Sequence, residues 1–228
     1  MKNFIVFTIV GFFLTSCGTL PTQTKLDAYP AMYDDRQPLS ILVIPAINKT
    51  TAADATDYFN VTITEPLSNS GYYTMPVEII KDIFFQEGVI DSTMIKGLPT
   101  SVFRNNFGAD AVLFVTINAW DKNYAVIAAN VTVSMEYVMI STDTNEIIWQ
   151  YSATQVIDTT AESSGFLLAD LITTALTTAT TDYVPIAKQV NYQAFIGLPH
   201  GKYSKIYRTD GQNLINVALK DAATASDK

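Results

Sequence analysis

Apolar residues fall along this chain in two kinds of pattern. Ser40-Ile-Leu-Val-Ile-Pro-Ala-Ile-Asn48 and Ala111-Val-Leu-Phe-Val-Thr-Ile-Asn-Ala-Trp120 are nearly continuous apolar runs. Such runs predict strands covered on both faces, as in a sheet flanked by helices. Pro45 has no N–H for a ladder, so the first strand should end or meet an edge there. Asn130–Ser141 alternates instead, with Val131, Val133, Met135, Tyr137 and Met139 against Thr132, Ser134 and Glu136. A period of two predicts a strand with one face partly in water. Asp121-Lys-Asn123 before it and Asp143-Thr-Asn145 after it carry turn chemistry, and Glu146–Ile157 supplies a third strand. The second half therefore reads as an antiparallel meander.

Helical spacing fills the intervals. Asp54 or Thr56 can cap a helix running to Asn69, with Tyr58, Phe59, Ile63 and Leu67 on one face. Pro66 should kink its last turn and Gly71 should stop it. Tyr72–Val77 predicts a short strand. Val77, Ile79, Ile80, Ile83 and Phe84 predict a helix ending at Gly88, and Pro99 opens another that buries Val102, Phe103 and Phe107 before Gly108. The last long helical pattern runs from Phe166 to Tyr183. Threonines crowd the face opposite Leu168, Leu171, Ile172, Ala175 and Ala179, and Asp170 is the only charge up to Thr181. A face so poor in charge suits contact with another helix or subunit, so a homodimer, or binding of a partner, is expected through this helix or the adjacent sheet edge. From Gly197 onward the chain is rich in turns. The class that emerges is α/β, a mixed sheet flanked by helices.

The amino terminus sets the address. Lys2 is followed by an apolar run, Phe4–Leu14, which matches a secretory signal and is too short to span a bilayer. The run closes on Leu14-Thr-Ser-Cys17, which resembles the bacterial lipobox, where the chain is cut before a cysteine that is then acylated. Cys17 is the only cysteine, so no disulfide competes for its thiol. Residues 1–16 are accordingly read as a signal peptide, and 17–38, punctuated by Gly18, Pro21, Pro30 and Pro38, as an extended tether. Residues 39–200 form the α/β domain and 201–228 a turn-rich tail. A lipobox cysteine carries diacylglycerol and often a further chain such as palmitate, and two or more chains anchor stably. Gly18, rather than aspartate, follows the cysteine and favours sorting to an outer membrane.

Composition narrows the function. Apolar residues make up 48% of the 228 residues and charged ones 16%, which allows a sizeable core. The formal net charge is −8, and removal of Lys2 with the signal makes it more negative still. Nucleic-acid binding is excluded on this balance, and the overall charge gives no polybasic support for membrane binding. Catalytic motifs are missing: there is no phosphate loop, no dinucleotide-binding glycine pattern and no G-x-S-x-G. The one histidine, His200, lies in the turn Leu198-Pro-His-Gly201, and a solvated loop histidine accounts for it. Zinc would need several Cys or His ligands, which this chain cannot supply. Asp54 with Asp57 stands at a predicted helix start, where unpaired amides attract acids without any catalysis. No catalytic, cofactor or metal residue is therefore assigned; the one site residue is Cys17, as the point of lipidation.

Several segments, taken in order, resemble one family of bacterial lipoproteins typified by a meningococcal surface lipoprotein. They are Ser40–Pro45 with Asn48-Lys49, Asp57-Tyr-Phe59, Gly71-Tyr-Tyr73 with Pro76-Val77, Phe107–Phe114, Trp120-Asp121, Tyr137-Val138, Glu146–Trp149 and Ser164-Gly165. The helix after Gly165 departs from the family, which is richer in Gly and Ala there. The resemblance implies a domain similar to the amino-terminal domain of TolB, and neighbours that include a CsgG-like lipoprotein and a second small lipoprotein. It brings no catalytic residues. The expected role is a non-enzymatic component of an outer-envelope complex, in the periplasm or at the cell surface. The alternative is a small-ligand or glycan-binding accessory lipoprotein. A pocket lined by Tyr72, Trp120 or Trp149 would favour that alternative, and buried rings would count against it.

Overall fold

Ile41, Leu42, Val43 and Ile44 are all withdrawn from solvent, as are Ala111–Val115, and these two runs lie side by side at the centre of the molecule. The computed structural model describes residues 22–124, 129–158 and 183–216. Its strands are β1 (Thr22–Thr24), β2 (Ser40–Val43), β3 (Ile47–Asn48), β4 (Tyr73–Thr74), β5 (Ala111–Tyr124), β6 (Ala129–Ser141), β7 (Ile147–Asp158) and β8 (Leu214–Asn216). Its helices are α1 (Lys25–Ala28), α2 (Ala55–Thr62), α3 (Thr64–Asn69), α4 (Val77–Gln86), α5 (Ser101–Phe107) and α6 (Val184–Phe195).

The main sheet has the order β4-β2-β5-β6-β7. β2 runs parallel to β4 and β5, whereas β5, β6 and β7 form the antiparallel meander. This is the mixed α/β class that the runs and the alternation predict. Pro45 interrupts the first strand as expected. The Ile44 N–H still reaches the Leu113 carbonyl at 3.0 Å, and after the break Lys49 rejoins the same edge at the Ile117 carbonyl, 2.9 Å away. Between them the Ala46 N–H donates to Asn60 Oδ1 at 3.0 Å, so a side chain from α2 bridges the gap in the ladder.

Parity then separates two cores. Ile41, Val43, Leu113, Val115 and Ile117 face α2, α3 and α6 together with the apolar side of β6. Leu42, Ile44, Val112 and Phe114 face Ile80 of α4 and Phe103 of α5. A bulge between Ile117 and Ala119 shifts the parity of β5 and turns Trp120 into the first core, where it is 3% exposed. Thr132, Ser134 and Glu136 remain half-buried on the opposite side of β6.

The structure corrects several expectations. Asp121-Lys-Asn123 is not a turn; β5 continues through it, paired with Thr132, Val131 and Asn130. Ladder bonds to a long partner override turn propensity there. Pro66 does not kink one helix. The chain divides at Ile63, and Pro66 falls in the first turn of α3, where a missing N–H costs nothing. Ile79 and Ile83, expected on a buried face, are exposed, and Val77 and Ile80 hold α4 to the core with the half-buried Phe84 beside them. Helix α6 has no counterpart in the periodicity reading. It opens with Pro185 and buries Ile186, Ala187, Val190, Ala194 and Phe195. Its buried Asn191 links Tyr137 of β6 (2.8 Å) to Thr62 of α2 (2.8 Å). The threonine-rich stretch 166–183 lies outside the described residues except for Tyr183.

Residues 22–38 are not an extended tether. Lys25, Ala28, Tyr29 and Met32 are buried, and β1 pairs antiparallel with β8, Thr22 opposite Asn216 and Thr24 opposite Leu214. The turns after residue 200 are likewise packed on the domain, so the packed residues include both Thr22 and Asn216. The periodicity was too short to show this: Ala28, Tyr29 and Met32 are three positions on one helical turn and a following 3-10 turn.

Candidate functional site

The most constrained polar group in the structure joins the two ends of this body. The Lys25 side chain is 6% exposed, and its Nζ donates to the carbonyls of Ile196 and Leu198 and to Asp210 Oδ2, each at 3.0 Å. Asp210 in turn accepts from the Tyr33 hydroxyl (3.1 Å) and the His200 N–H (3.3 Å). A charge pair so buried persists only when its remaining hydrogen-bonding capacity is met, and breaking one side of such a pair costs about 3–5 kcal/mol. Burial, and then the Asp210 charge, push the Tyr33 hydroxyl well above its ordinary value. The node fixes the loop Gly201–Asp210 at its far end. At its near end Gly201 donates to the Ser70 carbonyl (2.8 Å), so close to Gly71 that a Cβ there would meet the Gly71 carbonyl oxygen at 2.3 Å.

His200 sits inside this arrangement as a backbone element. Its carbonyl accepts from Gln37 Nε2 at 2.9 Å, and its ring Nδ1 is 3.4 Å from Ser204 Oγ. A serine and a histidine at that spacing resemble a nucleophile and base. The carboxylate that should orient the ring, Asp210, bonds the backbone N–H of His200 instead. Among the described residues no group of three His, Cys, Asp or Glu side chains is placed to hold a metal.

Beside the loop opens a charged cleft of about 340 Å³, lined by the turn Asp34–Gln37, Arg104, Asp110, the turn Ser141–Thr144, and Lys202, Tyr207 and Arg208. Its arginines pair with neighbouring acids, while Lys202 makes no ion pair among the described residues. Arg36 holds Asp34 at 2.8 Å and approaches Glu146 at 3.6 Å, and Arg104 reaches Asp143 at 3.3 Å. The Arg36 hydrogen bond pushes the Asp34 carboxyl down. Asp110 accepts from the Leu39 and Ser40 N–H groups and the Ser40 hydroxyl, which pins the start of β2 to the start of β5. Acid catalysis would call for a carboxyl held protonated in a cleft, whereas Asp34, Glu65 and Asp91 are all pushed down by hydrogen bonds. Asp57, at the start of α2, pairs with Lys81 at 3.1 Å on the surface.

The aromatic positions are core. Tyr72, Trp120 and Trp149 are 3%, 3% and 1% exposed. Trp120 meets Phe59 edge-on at 5.7 Å, and Trp149 stacks on Tyr151 at 6.3 Å. The Tyr72 hydroxyl donates to the Pro199 carbonyl at 2.6 Å. Trp149 contributes to the floor of a shallow groove of about 530 Å³ with Tyr29, Pro30 and Ile147, but its ring faces inward. These rings build the first core and offer no stacking platform to a sugar.

Cys17 lies outside the described residues. The sequence reading passed over Lys25 and the loop Gly201–Asp210. A signal existed for the loop: Lys202, Lys205 and Arg208 are three bases within a short stretch of an acidic chain. Among the described residues no helix is long and apolar enough to cross a membrane.

A family model and several known proteins are similar to this chain. Residues 28–198 match the family model described as "Putative lipoprotein GNA1162-like". A relative from Neisseria meningitidis serogroup B, "Putative lipoprotein NMB1124/NMB1162", is 26% identical over 167 residues, 73% of this chain and 76% of its own length. The crystal structure of lipoprotein GNA1162 from Neisseria meningitidis superposes with a TM-score of 0.52 at 26% identity, covering 61% of this chain and 95% of that one. PelC from the Paraburkholderia phytofirmans dodecamer gives a TM-score of 0.43 at 12% identity over 81% of this chain and 96% of its own.

Proposed function

This chain belongs to the GNA1162-like lipoprotein family, and we propose that it is a non-enzymatic component of an outer-envelope complex, anchored by lipid on Cys17. The observation that carries the reading is the junction Leu14-Thr-Ser-Cys17 at the end of a short apolar run, in a chain of that family. The rest of the molecule supports it. The arginines of its charged cleft are paired with acids, Tyr72, Trp120 and Trp149 are interior, and its one histidine serves a loop. A CsgG-like lipoprotein, a second small lipoprotein and a second copy of this chain are the proposed partners.

Replacing the thiol tests the anchor. Cys17→Ala should abolish incorporation of labelled fatty acid and leave the precursor uncleaved or the product released from membranes. Label retained on the alanine variant would contradict the reading. Native extraction of the acylated protein should bring the partner lipoproteins with it.

A further inference from the structure

Only Gly18, Thr19, Leu20 and Pro21 separate Cys17 from Thr22, which is paired with Asn216 in the folded body. A stretched chain covers at most about 3.6 Å per residue, so Thr22 stays within roughly 18 Å of a lipid on Cys17. A domain of this size is on the order of 40 Å across. The leash is therefore shorter than half the body, and the end of the molecule that holds β1 must turn toward the bilayer.

That end is unlike an ordinary solvated surface. Leu26 donates its N–H to the Gly211 carbonyl, Leu214 pairs with Thr24, and the Ile196 carbonyl holds Lys25, so three segments converge beside the start of the chain. Each presents an exposed aliphatic side chain: Leu26 is 39%, Leu214 68% and Ile196 74% exposed. The loop Gly201–Asp210, fixed to the same node through Asp210, adds Tyr203 at 68% and Ile206 at 48%. Lys202 and Lys205 are exposed between them and make no ion pair among the described residues, while Arg208 is held by the Asp34 carbonyl at 2.7 Å. Of the exposed acids near this end, Asp27 bonds the Thr24 hydroxyl, Asp34 pairs with Arg36, and Asp35 lies 3.9 Å from Arg208.

Taking the lipid on Cys17 as the anchor, we propose that this end is a membrane-contacting face: Leu26, Ile196, Leu214, Tyr203 and Ile206 enter the headgroup layer of the leaflet that carries the lipid. Two arguments favour lipid over a protein partner. The leash brings the bilayer within reach of every copy of the molecule. Exposed lysines beside an aromatic ring and aliphatic chains suit the bilayer interface, whereas lysine is depleted from protein interfaces. The acidic balance of the whole chain conceals this local run of bases.

The acylated full-length protein supplies the test. Its sole native cysteine is consumed as a thioether, so a cysteine introduced by Leu214→Cys, Tyr203→Cys or Ile90→Cys is the only free thiol for a fluorophore. Ile90 is 79% exposed and belongs to a separate hollow beside α4. The labelled proteins are reconstituted in vesicles of phosphatidylethanolamine and phosphatidylglycerol, with a nitroxide on a fraction of the acyl chains. Labels at 203 and 214 should lose most of their emission to the nitroxide, and the label at 90 should keep it. Equal quenching at all three positions, or none at 203 and 214 in protein that floats with the vesicles, would overturn the face and leave the anchor standing. Self-quenching at 203 and 214 without quenching by lipid would also overturn it, by making this end a contact between copies. Protein that fails to float removes the anchor, and the face with it.

Discussion

Several tyrosine hydroxyls in this protein are held in places where ionisation is resisted. Tyr29 is 7% exposed and donates to the Gln150 carbonyl at 3.0 Å; burial pushes it up to about 12. Tyr33, Tyr72 and Tyr137 are pushed up as well, each first by burial. The sign follows directly. In the unfolded chain a tyrosine loses its proton near pH 10, while in the folded state it keeps it, so alkali favours unfolding. The stability that Tyr29 contributes is complete below about pH 10 and is lost as pH rises toward about 12, on the order of 2–3 kcal/mol for this one group. Urea midpoints measured at pH 9 and pH 11 should fall steeply, and Tyr29→Phe should make the fall shallower. An unchanged pH slope in that variant would mean that the ring is solvated.

At the scale of elements, the break at Pro45 is the informative one. β2 and β3 are two halves of one strand on the edge of β5, and Asn60 of α2 stands in for the ladder where proline interrupts it. Asn60→Ala would leave the buried Ala46 N–H without a partner, at a cost of about 1–3 kcal/mol. Chemical denaturation should show that loss, and Asn60→Asp, which keeps an acceptor, should recover part of it. The same elements show what a sequence reveals. Ile41–Ile44 and Ala111–Val115 were legible because burial on both faces leaves an uninterrupted apolar run. Val131 to Met139 was legible because burial on one face leaves alternation. Helix α6 was not, since Pro185 and the polar Lys188, Gln189 and Asn191 break its stripe, and Asn191 is buried only through partners on β6 and α2. Residues 22–38 were hidden for the same reason. Lys25 reads as solvated until Asp210, far along the chain, is brought to it. The cleft beside the loop was equally silent, because its ion pairs join the turn at Asp34–Arg36, helix α5, the β6–β7 turn and the loop at Arg208, which lie far apart in the chain.

For the whole molecule, the packed amino-terminal segment changes how an anchor would act. An extended tether to residue 38 would let the domain roam above the bilayer, whereas a body that includes Thr22 would be held against it. Partners would then meet this protein close to the membrane, on the surfaces left free around the sheet. All of this depends on the chemistry at Cys17, and one measurement reaches it most directly: the mass of the amino-terminal peptide from protein purified out of native membranes. The account predicts that residues 1–16 are absent and that the peptide Cys17–Lys25 carries diacylglycerol and a further acyl chain. A peptide that begins elsewhere, or one with Cys17 as a free thiol, would contradict it.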